Sequence, residues 1–194
     1  MYSVSPLISI ITLNYNQASV TVDFLESAKK LHYKNFEILV CDMASAEDVT
    51  KIIHPEKYPN TCLLLSNKNL GFAGGNNWGM RQAKGDFFFI VNNDTVMTEY
   101  LLDNLLKPFT EDRSIGVTSP KIMYYHHPDT IQYAGFFPMN KYTGRTTIRG
   151  ESEKDIGQYD ISGPTCGSHG CAMLVKREVA EKTGMFPEKF FLYY

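Results

Sequence analysis

The chain has 194 residues, 43% of them hydrophobic and 21% charged, with a formal net charge of −2. That length suits one domain able to bury roughly 70% of its unfolded surface without a disulfide or a metal, and the composition excludes a disordered chain. The near-neutral charge argues against a nucleic-acid partner, the apolar run Phe87–Val91 is far short of the ~20 residues of a membrane span, and with no basic n-region ahead of an apolar stretch at the start a signal peptide is not expected.

In chain order, short apolar runs occupy Leu7–Leu13, Phe36–Cys41, Cys62–Leu65, Phe87–Val91 and, more weakly, Ile115–Thr118. They do not alternate with polar residues, which predicts strands buried on both faces. Between the first two, Ser19–Leu31 sets Val20, Phe24, Leu25, Ala28 and Leu31 on one helical face, with Asp23, Glu26, Lys29 and Lys30 mostly opposite. Ala73–Lys84 and Glu99–Thr110 are two further predicted helices, the second open to interruption at Pro108. The alternation predicts an α/β fold, an open, mostly parallel twisted sheet with helices on both faces. Residues 120–168, rich in Tyr, Gly, Pro, Thr and His, read as irregular ribbon and loop at one side of that sheet. Cys171–Val175 is a predicted strand and Lys176–Thr183 a short helix ended by Gly184. The aromatic tail up to Tyr194 is an odd natural terminus, and the expectation is the front part of a longer protein.

The four cysteines, Cys41, Cys62, Cys166 and Cys171, match no metal or redox spacing. Cys41 and Cys62 sit in apolar runs, as small core hydrophobes do, and reduced thiols suit a cytosolic protein. His126 and His127 are expected to face solvent, and His32 and His54 have no metal-type spacing. His169 is a candidate to face a site, and Trp78, Tyr124 and Tyr125 are candidates to stack on a sugar.

In an open α/β sheet, ligands bind beyond the carboxyl ends of the strands. Asn14-Tyr15-Asn16 follows the first run, Asp42-Met43-Ala44-Ser45 the second and Asn92-Asn93-Asp94-Thr95 the fourth. Polar groups converging on one sheet edge predict a binding cleft. The third run leads into Asn69-Leu70-Gly71-Phe72-Ala73-Gly74-Gly75-Asn76-Asn77, whose glycines are expected to let the backbone and a helix N-terminus approach a phosphate. This is neither the dinucleotide fingerprint nor a phosphate-binding loop with Gly-Lys-Ser/Thr, which sets aside NAD and ATPase readings. Asn92-Asn93-Asp94 offers one carboxylate and neutral oxygens, a set suited to a hard divalent cation whose shell a diphosphate completes.

These four motifs, in this order and across nearly the whole chain, resemble the family 2 glycosyltransferases of GT-A fold, most closely the rhamnosyltransferase-like branch. The resemblance implies a single GT-A domain over 1–194, with a nucleotide-sugar half at 1–119 and an incomplete acceptor-side half at 120–194. It implies that Asn14 and Tyr15 border the nucleotide base, that Asp42 hydrogen-bonds the base or ribose, and that Leu13 and Ser45 belong to the same nucleotide-sugar site. Gly74, Asn76, Asn77 and Asn93 would complete the nucleotide-sugar site. Asp94 and Asn92 would hold Mn²⁺ or Mg²⁺ against the donor diphosphate. Met43 departs from the family, which usually has Asn there. Gly170–Arg177 resembles the acceptor-side strand, and Gly184–Tyr194 the segment leading to an acidic pair that carries the family's base. The base is therefore expected just after Tyr194, and Glu188 does not stand at its position. The implied reaction is inverting transfer from a UDP- or dTDP-sugar to a saccharide or lipid-linked acceptor, in cell-surface polysaccharide synthesis. The implied setting is the cytoplasm or the inner face of the membrane, with membrane association only through a part beyond Tyr194. Two other classes stay open. A sugar nucleotidyltransferase should carry a glycine-rich loop with Arg and Lys after the first strand, which Asn14-Tyr15-Asn16-Gln17 is not. A non-catalytic nucleotide-sugar or glycan-binding module would lack the acidic pair.

Overall fold

In the computed structural model, which describes residues 5–58 and 60–192, the four strong apolar runs form β1 (Ile8–Asn14), β2 (Phe36–Asp42), β3 (Thr61–Leu65) and β4 (Phe87–Val91). Tyr193 and Tyr194 of the tail motif lie outside the described residues. With β5 (Val117–Thr118) and β8 (Ala172–Lys176) these strands make one sheet in the order β3-β2-β1-β4-β8-β5. Strands β1 to β4 run parallel, and β8 lies antiparallel between β4 and β5. The fold is the open, mostly parallel α/β sheet that the sequence predicts.

The helices α1 (Ala18–Ala28), α2 (Gly71–Gln82), α3 (Leu101–Glu111) and α4 (Arg177–Thr183) cover both faces. Successive strand residues point to opposite sides, so each strand feeds two cores. Ile8, Ile10, Val40, Phe87, Phe89 and Leu174 pack with Phe24 and Leu25 of α1 and Leu102, Leu105 and Phe109 of α3. Ile11, Leu39, Cys41, Phe88, Ile90 and Val175 pack with Met80 of α2 and Ala180 of α4. This two-sided burial is the reason the strands read as continuous apolar runs. Each large side chain removed from water contributes about 1.5–3 kcal/mol, and Phe87, Phe88 and Phe89 are all exposed by 1% or less.

Pro108 does not interrupt its helix. α3 continues to Glu111, and the Pro108 carbonyl accepts the Asp112 N–H at 2.9 Å. A proline forfeits one backbone bond, and burial of Leu105 and Phe109 on either side offsets it. α4 starts at Arg177 because Lys176 still belongs to β8, paired with Phe87. It stops at Gly184, whose φ of +85° suits glycine best.

Two expectations fail. Cys62 is exposed, and Leu65 is 55% exposed, because β3 is the outer strand of the sheet; of the two thiols assigned to the core, only Cys41 is buried. The 120–168 stretch is more regular than its composition suggests. It opens with a hairpin, β6 (Ile122–Tyr124) and β7 (His127–Tyr133). An excursion then pairs back at Thr130–Lys154 and Phe136–Ile148. Lys121 fastens it by ion pairs of 2.6 Å to both Asp155 and Asp160. Among the described residues no helix is long and apolar enough to cross a membrane.

Candidate nucleotide-binding site at the strand ends

Because β1 and β2 are parallel neighbours in register, Asn14 stands beside Asp42. Asn14 is wholly buried and Asp42 is 4% exposed. The Asn14 amide donates to Asp42 Oδ1 at 2.7 Å and to Ser45 Oγ at 3.2 Å. Ser45 donates its hydroxyl to Asp42 Oδ1 at 2.6 Å and its backbone N–H to Oδ2 at 3.1 Å. On its other side Asn14 Oδ1 accepts the Thr21 hydroxyl at 2.8 Å, and Thr21 Oγ1 accepts the Asn93 amide at 2.9 Å. One hydrogen-bonded chain, Asn93–Thr21–Asn14–Asp42–Ser45, therefore ties together the ends of β4, β1 and β2. Buried polar groups that satisfy one another in this way fix a single arrangement.

The loops at this edge are tied as tightly. Asn16 sits at φ +54° and Ala44 at φ +59°, left-handed conformations that cost a non-glycine residue of order 1–3 kcal/mol. Their neighbours hold them in place. Asn16 N–H donates to Ser45 Oγ at 2.8 Å, and Ala46 N–H donates to Asn16 Oδ1 at 2.7 Å. Above this base Tyr15 is 51% exposed, and Asp94 is exposed in the loop after β4. A cleft of about 160 Å³ runs beside Asp94, lined also by Val20, Asp23, Phe24, Asn93, Thr95, Val96 and Tyr125. Asn92 donates its backbone N–H to the Cys171 carbonyl at 2.9 Å, which binds this loop to the start of β8. The Cys171 thiol is pushed up to about 11, first by burial and then by the negative charge of Asp94.

Among the described residues no three His, Cys, Asp or Glu side chains gather as a self-sufficient metal site. Asp94 beside neutral Asn92 and Asn93 is a sparse donor set. It fits a cation that draws most of its shell from phosphate oxygens and water, as Mg²⁺ does.

The structure brings Asn14, Tyr15, Asp42, Ser45, Asn92, Asn93 and Asp94 to one edge, whereas the residues taken from the glycine-rich stretch are engaged in the packing of α2. Asn14 is corrected in detail: it has no exposed surface to offer a base and acts on Asp42 instead. Leu13 points to the opposite core and packs against Gly75. Gly74 is buried, and a Cβ there would lie 3.0 Å from Leu70 Cβ. Gly75 and Gly79 let α2 lie close on β1 and β2, where added Cβ atoms would meet Leu13, Met43, Ile11 and Cys41. The glycines thus serve helix–sheet packing. The N-terminus of α2 is also engaged, because Gly71 N–H donates to Asn69 Oδ1 at 2.9 Å and Phe72 N–H to the Phe191 carbonyl at 2.7 Å. Asn76 is 1% exposed and donates to the Phe72 carbonyl one turn back. Asn77 is 2% exposed and turned to the C-terminal segment.

Thr21 escaped the sequence reading, although a signal was there: it is a polar residue on the apolar face of α1, in step with Phe24, Leu25 and Ala28. His169 serves structure, its Nδ1 accepting the Cys171 N–H at 3.1 Å and its ring lying 5.4 Å from that of Tyr133. Burial holds its pKa below the ordinary 6.5. Trp78 packs on the core between α2 and the sheet, whereas Tyr125 is 74% exposed at the cleft. His126 and His127 are exposed. His32 and His54 stand 3.1 and 3.3 Å from Asp103 and Glu56.

A mostly parallel sheet with a polar network and an exposed acidic loop at its carboxyl edge defines an α/β protein of the GT-A type. Residues 9–184 match the family described as Glycosyl transferase family 2, and the chain belongs to that family. It is 27% identical over 190 residues to an uncharacterized glycosyltransferase of Rickettsia typhi, a match covering 95% of this chain and 54% of that protein. It is 34% identical over 88 residues, 45% of this chain and 35% of the other, to the Escherichia coli UDP-Glc:alpha-D-GlcNAc-diphosphoundecaprenol beta-1,3-glucosyltransferase WfaP. Its fold is shared with a mannosyltransferase of Pyrobaculum calidifontis in complex with GDP-Man and Mn²⁺. The TM-score is 0.68 at 19% identity, over 96% of this chain and 49% of that one. The chain spans about half the length, or less, of each of these proteins.

Proposed function

We propose that the protein carrying this chain transfers a sugar, with inversion, from a nucleoside-diphosphate-sugar to a saccharide or lipid-linked acceptor. The single observation that carries this reading is the hydrogen-bonded chain Asn93–Thr21–Asn14–Asp42–Ser45. It ties together the ends of β1, β2 and β4, from which Tyr15, Asp42 and Asp94 follow, and so supports a reading in which these three serve a base, a ribose and a diphosphate. Exposed Tyr15 covers one side of the base. Asp42 Oδ2, which accepts one protein N–H, is the oxygen left to meet the base or ribose. Asp94, with Asn92, would hold Mn²⁺ or Mg²⁺ once the donor diphosphate is present, and the ion would supply stabilisation of negative charge on the leaving group. The mannosyltransferase of the same fold holds GDP-Man and Mn²⁺, which supports a nucleoside-diphosphate-sugar and a divalent cation as the ligands here.

In the reaction an acceptor hydroxyl oxygen bonds to the anomeric carbon as the bond from that carbon to the diphosphate oxygen breaks on the opposite face. The hydroxyl proton passes to a carboxylate base, a step typically worth 10²–10⁴-fold. Glu188 is a poor candidate for that base, since hydrogen bonds from Asn77 and Arg81 hold its pKa below the ordinary carboxylate range. Residues 1–119 are assigned to the donor and 120–194 to the acceptor side. The rhamnosyltransferase-like branch, a UDP- or dTDP-linked donor, and polysaccharide assembly at the cytoplasmic face of a membrane complete the proposal. The lipid-linked substrate in the name of WfaP supports the last of these.

Calorimetry with UDP and dTDP, with and without Mn²⁺, tests the reading. The expected result is weak binding that strengthens with the metal. Asp94→Ala should abolish the effect of Mn²⁺, whereas Asp42→Ala should weaken binding about tenfold even without metal, the size of one lost hydrogen bond to a charged group. No binding, metal-independent binding, or equal responses of the two variants in metal-free buffer would overturn the assignment.

A further inference from the structure

Residues 185–192 cross α2 as a strap, and one side chain fastens it. The Asn77 amide accepts the Phe186 N–H at 3.0 Å and donates to the Phe186 carbonyl at 2.8 Å and to Glu188 Oε1 at 2.9 Å. An amide is donor and acceptor in one group, so Asn77 clamps both backbone groups of a single residue. Arg81 Nη2 adds a bond of 2.9 Å to the same Glu188 oxygen. At the far end Phe191 offers its carbonyl to Phe72 N–H. Phe191 also lies so close to Gly71, at φ +67°, that a Cβ there would collide with it. The strap thus runs from the middle of α2 back to its N-terminus. That is the end at which α2 rests, through Gly75, on Leu13 and Met43, the neighbours of Asn14 and Asp42. It brings Phe191, 57% exposed and flanked by the exposed Phe190 and Leu192, to the N-terminal end of α2, which follows the carboxyl end of β3.

We infer that Asn77 is a positioning residue: by latching Phe186 and Glu188 it sets the strap as a wall of the site on the acceptor side, and so governs the transfer step while leaving donor binding alone. The inference rests on the sugar-transfer reading. Asn77 does not touch the substrate, since its amide is occupied and 2% of the residue is exposed. The role also explains a buried asparagine in the middle of a helix facing a chain segment more than a hundred residues away.

Hydrogen exchange of the full-length protein reads the latch directly, because local opening sets amide protection. In Asn77→Ala, amides of 185–192 should exchange at least ~10-fold faster, with protection in β1 and β4 unchanged. Glu188→Ala, at a side chain 51% exposed and harmless to the fold, should give a smaller increase in the same peptide. UDP and Mn²⁺ should bind the variants within about twofold of the parent. In assays with UDP-glucose, UDP-GlcNAc and GDP-mannose as donors, kcat should fall about tenfold with donor KM held within twofold, the pattern of an interaction used only in the transition state. Unchanged exchange of 185–192 in both variants would overturn the latch, and a raised donor KM with kcat intact would overturn the positioning role. A parent protein that binds no nucleoside diphosphate would instead sink the sugar-transfer reading and the kinetic claim with it, while the exchange result would still decide the latch.

Discussion

Thr12 and Asn14 stand two residues apart on the same face of β1, both with no exposed surface, yet they are treated in opposite ways. Asn14 spends its amide fully, on Asp42, Ser45 and Thr21. Thr12 Oγ1 has no hydrogen-bond partner among the described residues. A buried polar atom left unpaired costs about 1–3 kcal/mol, and removing it with the shape kept recovers part of that. Thr12→Val should therefore raise stability by about 1 kcal/mol. Asn14→Leu should lower it by about 2–3 kcal/mol, because the Asp42 carboxylate then loses a donor in a site that is 4% exposed. Urea denaturation of both variants measures this, and a destabilised Thr12→Val would show that the hydroxyl has work to do.

At the scale of elements, α2 is set by what its glycines leave out. A Cβ on Gly79 would lie 2.6 Å from Ile11 Cγ2 and 3.0 Å from Cys41 Sγ. Ile11 is β-branched and cannot swing aside within a strand. Overpacking of this kind costs about 1–3 kcal/mol, against a gain of at most about 1 kcal/mol from alanine's better helix propensity. Gly79→Ala should lower stability by about 1–2 kcal/mol, whereas Gly163→Ala, with open space around the site, should stay within about 0.5 kcal/mol; equal urea midpoints for the two would refute the packing role. This is also where the sequence misleads. A glycine-rich helix entry has the same letters whether the backbone approaches a phosphate or another strand, and only the register of α2 over Ile11 and Cys41 decides between them. The apolar runs of β1, β2 and β4 were legible because burial on both faces leaves no alternation to confuse. The hairpin of β6 and β7 was not, since its strands are half-buried and carry register shifts. In the site, Asp42 and Asp94 could be found because parallel strands end at one edge. The roles of Asn76 and Asn77 could not, because their partners, Phe72 and Phe186, are fixed by how helix and tail pack.

Across the whole molecule, His169 sits where the long excursion after β7 rejoins the sheet. Its Nδ1 accepts the Cys171 N–H, its ring lies against Tyr133, and the Tyr133 hydroxyl donates to the Gly167 carbonyl at 2.9 Å. As an acceptor Nδ1 must be bare, so the neutral ring carries its proton on Nε2. Protonating Nδ1 would break the bond to Cys171 and put a charge in a half-buried place, and burial accordingly holds the folded pKa below 6.5. The unfolded chain then binds this proton more readily than the native one. The contribution of His169 to stability is fully present above about pH 6.5 and is lost as pH falls from there through the lower native value. His169→Gln keeps a side-chain acceptor that does not titrate, so it should lose less stability than the parent between about pH 7.5 and pH 5. Comparing the two proteins cancels every other titrating group they share. The same proton should be visible as an NMR titration of the His169 ring with a midpoint below 6.5. It should be accompanied by faster exchange of the 166–171 amides, as the excursion loosens from β8. A midpoint above 6.5, or parallel stability curves for parent and variant, would mean that the excursion is held by its Lys121 ion pairs and its backbone bridges, without the help of the imidazole.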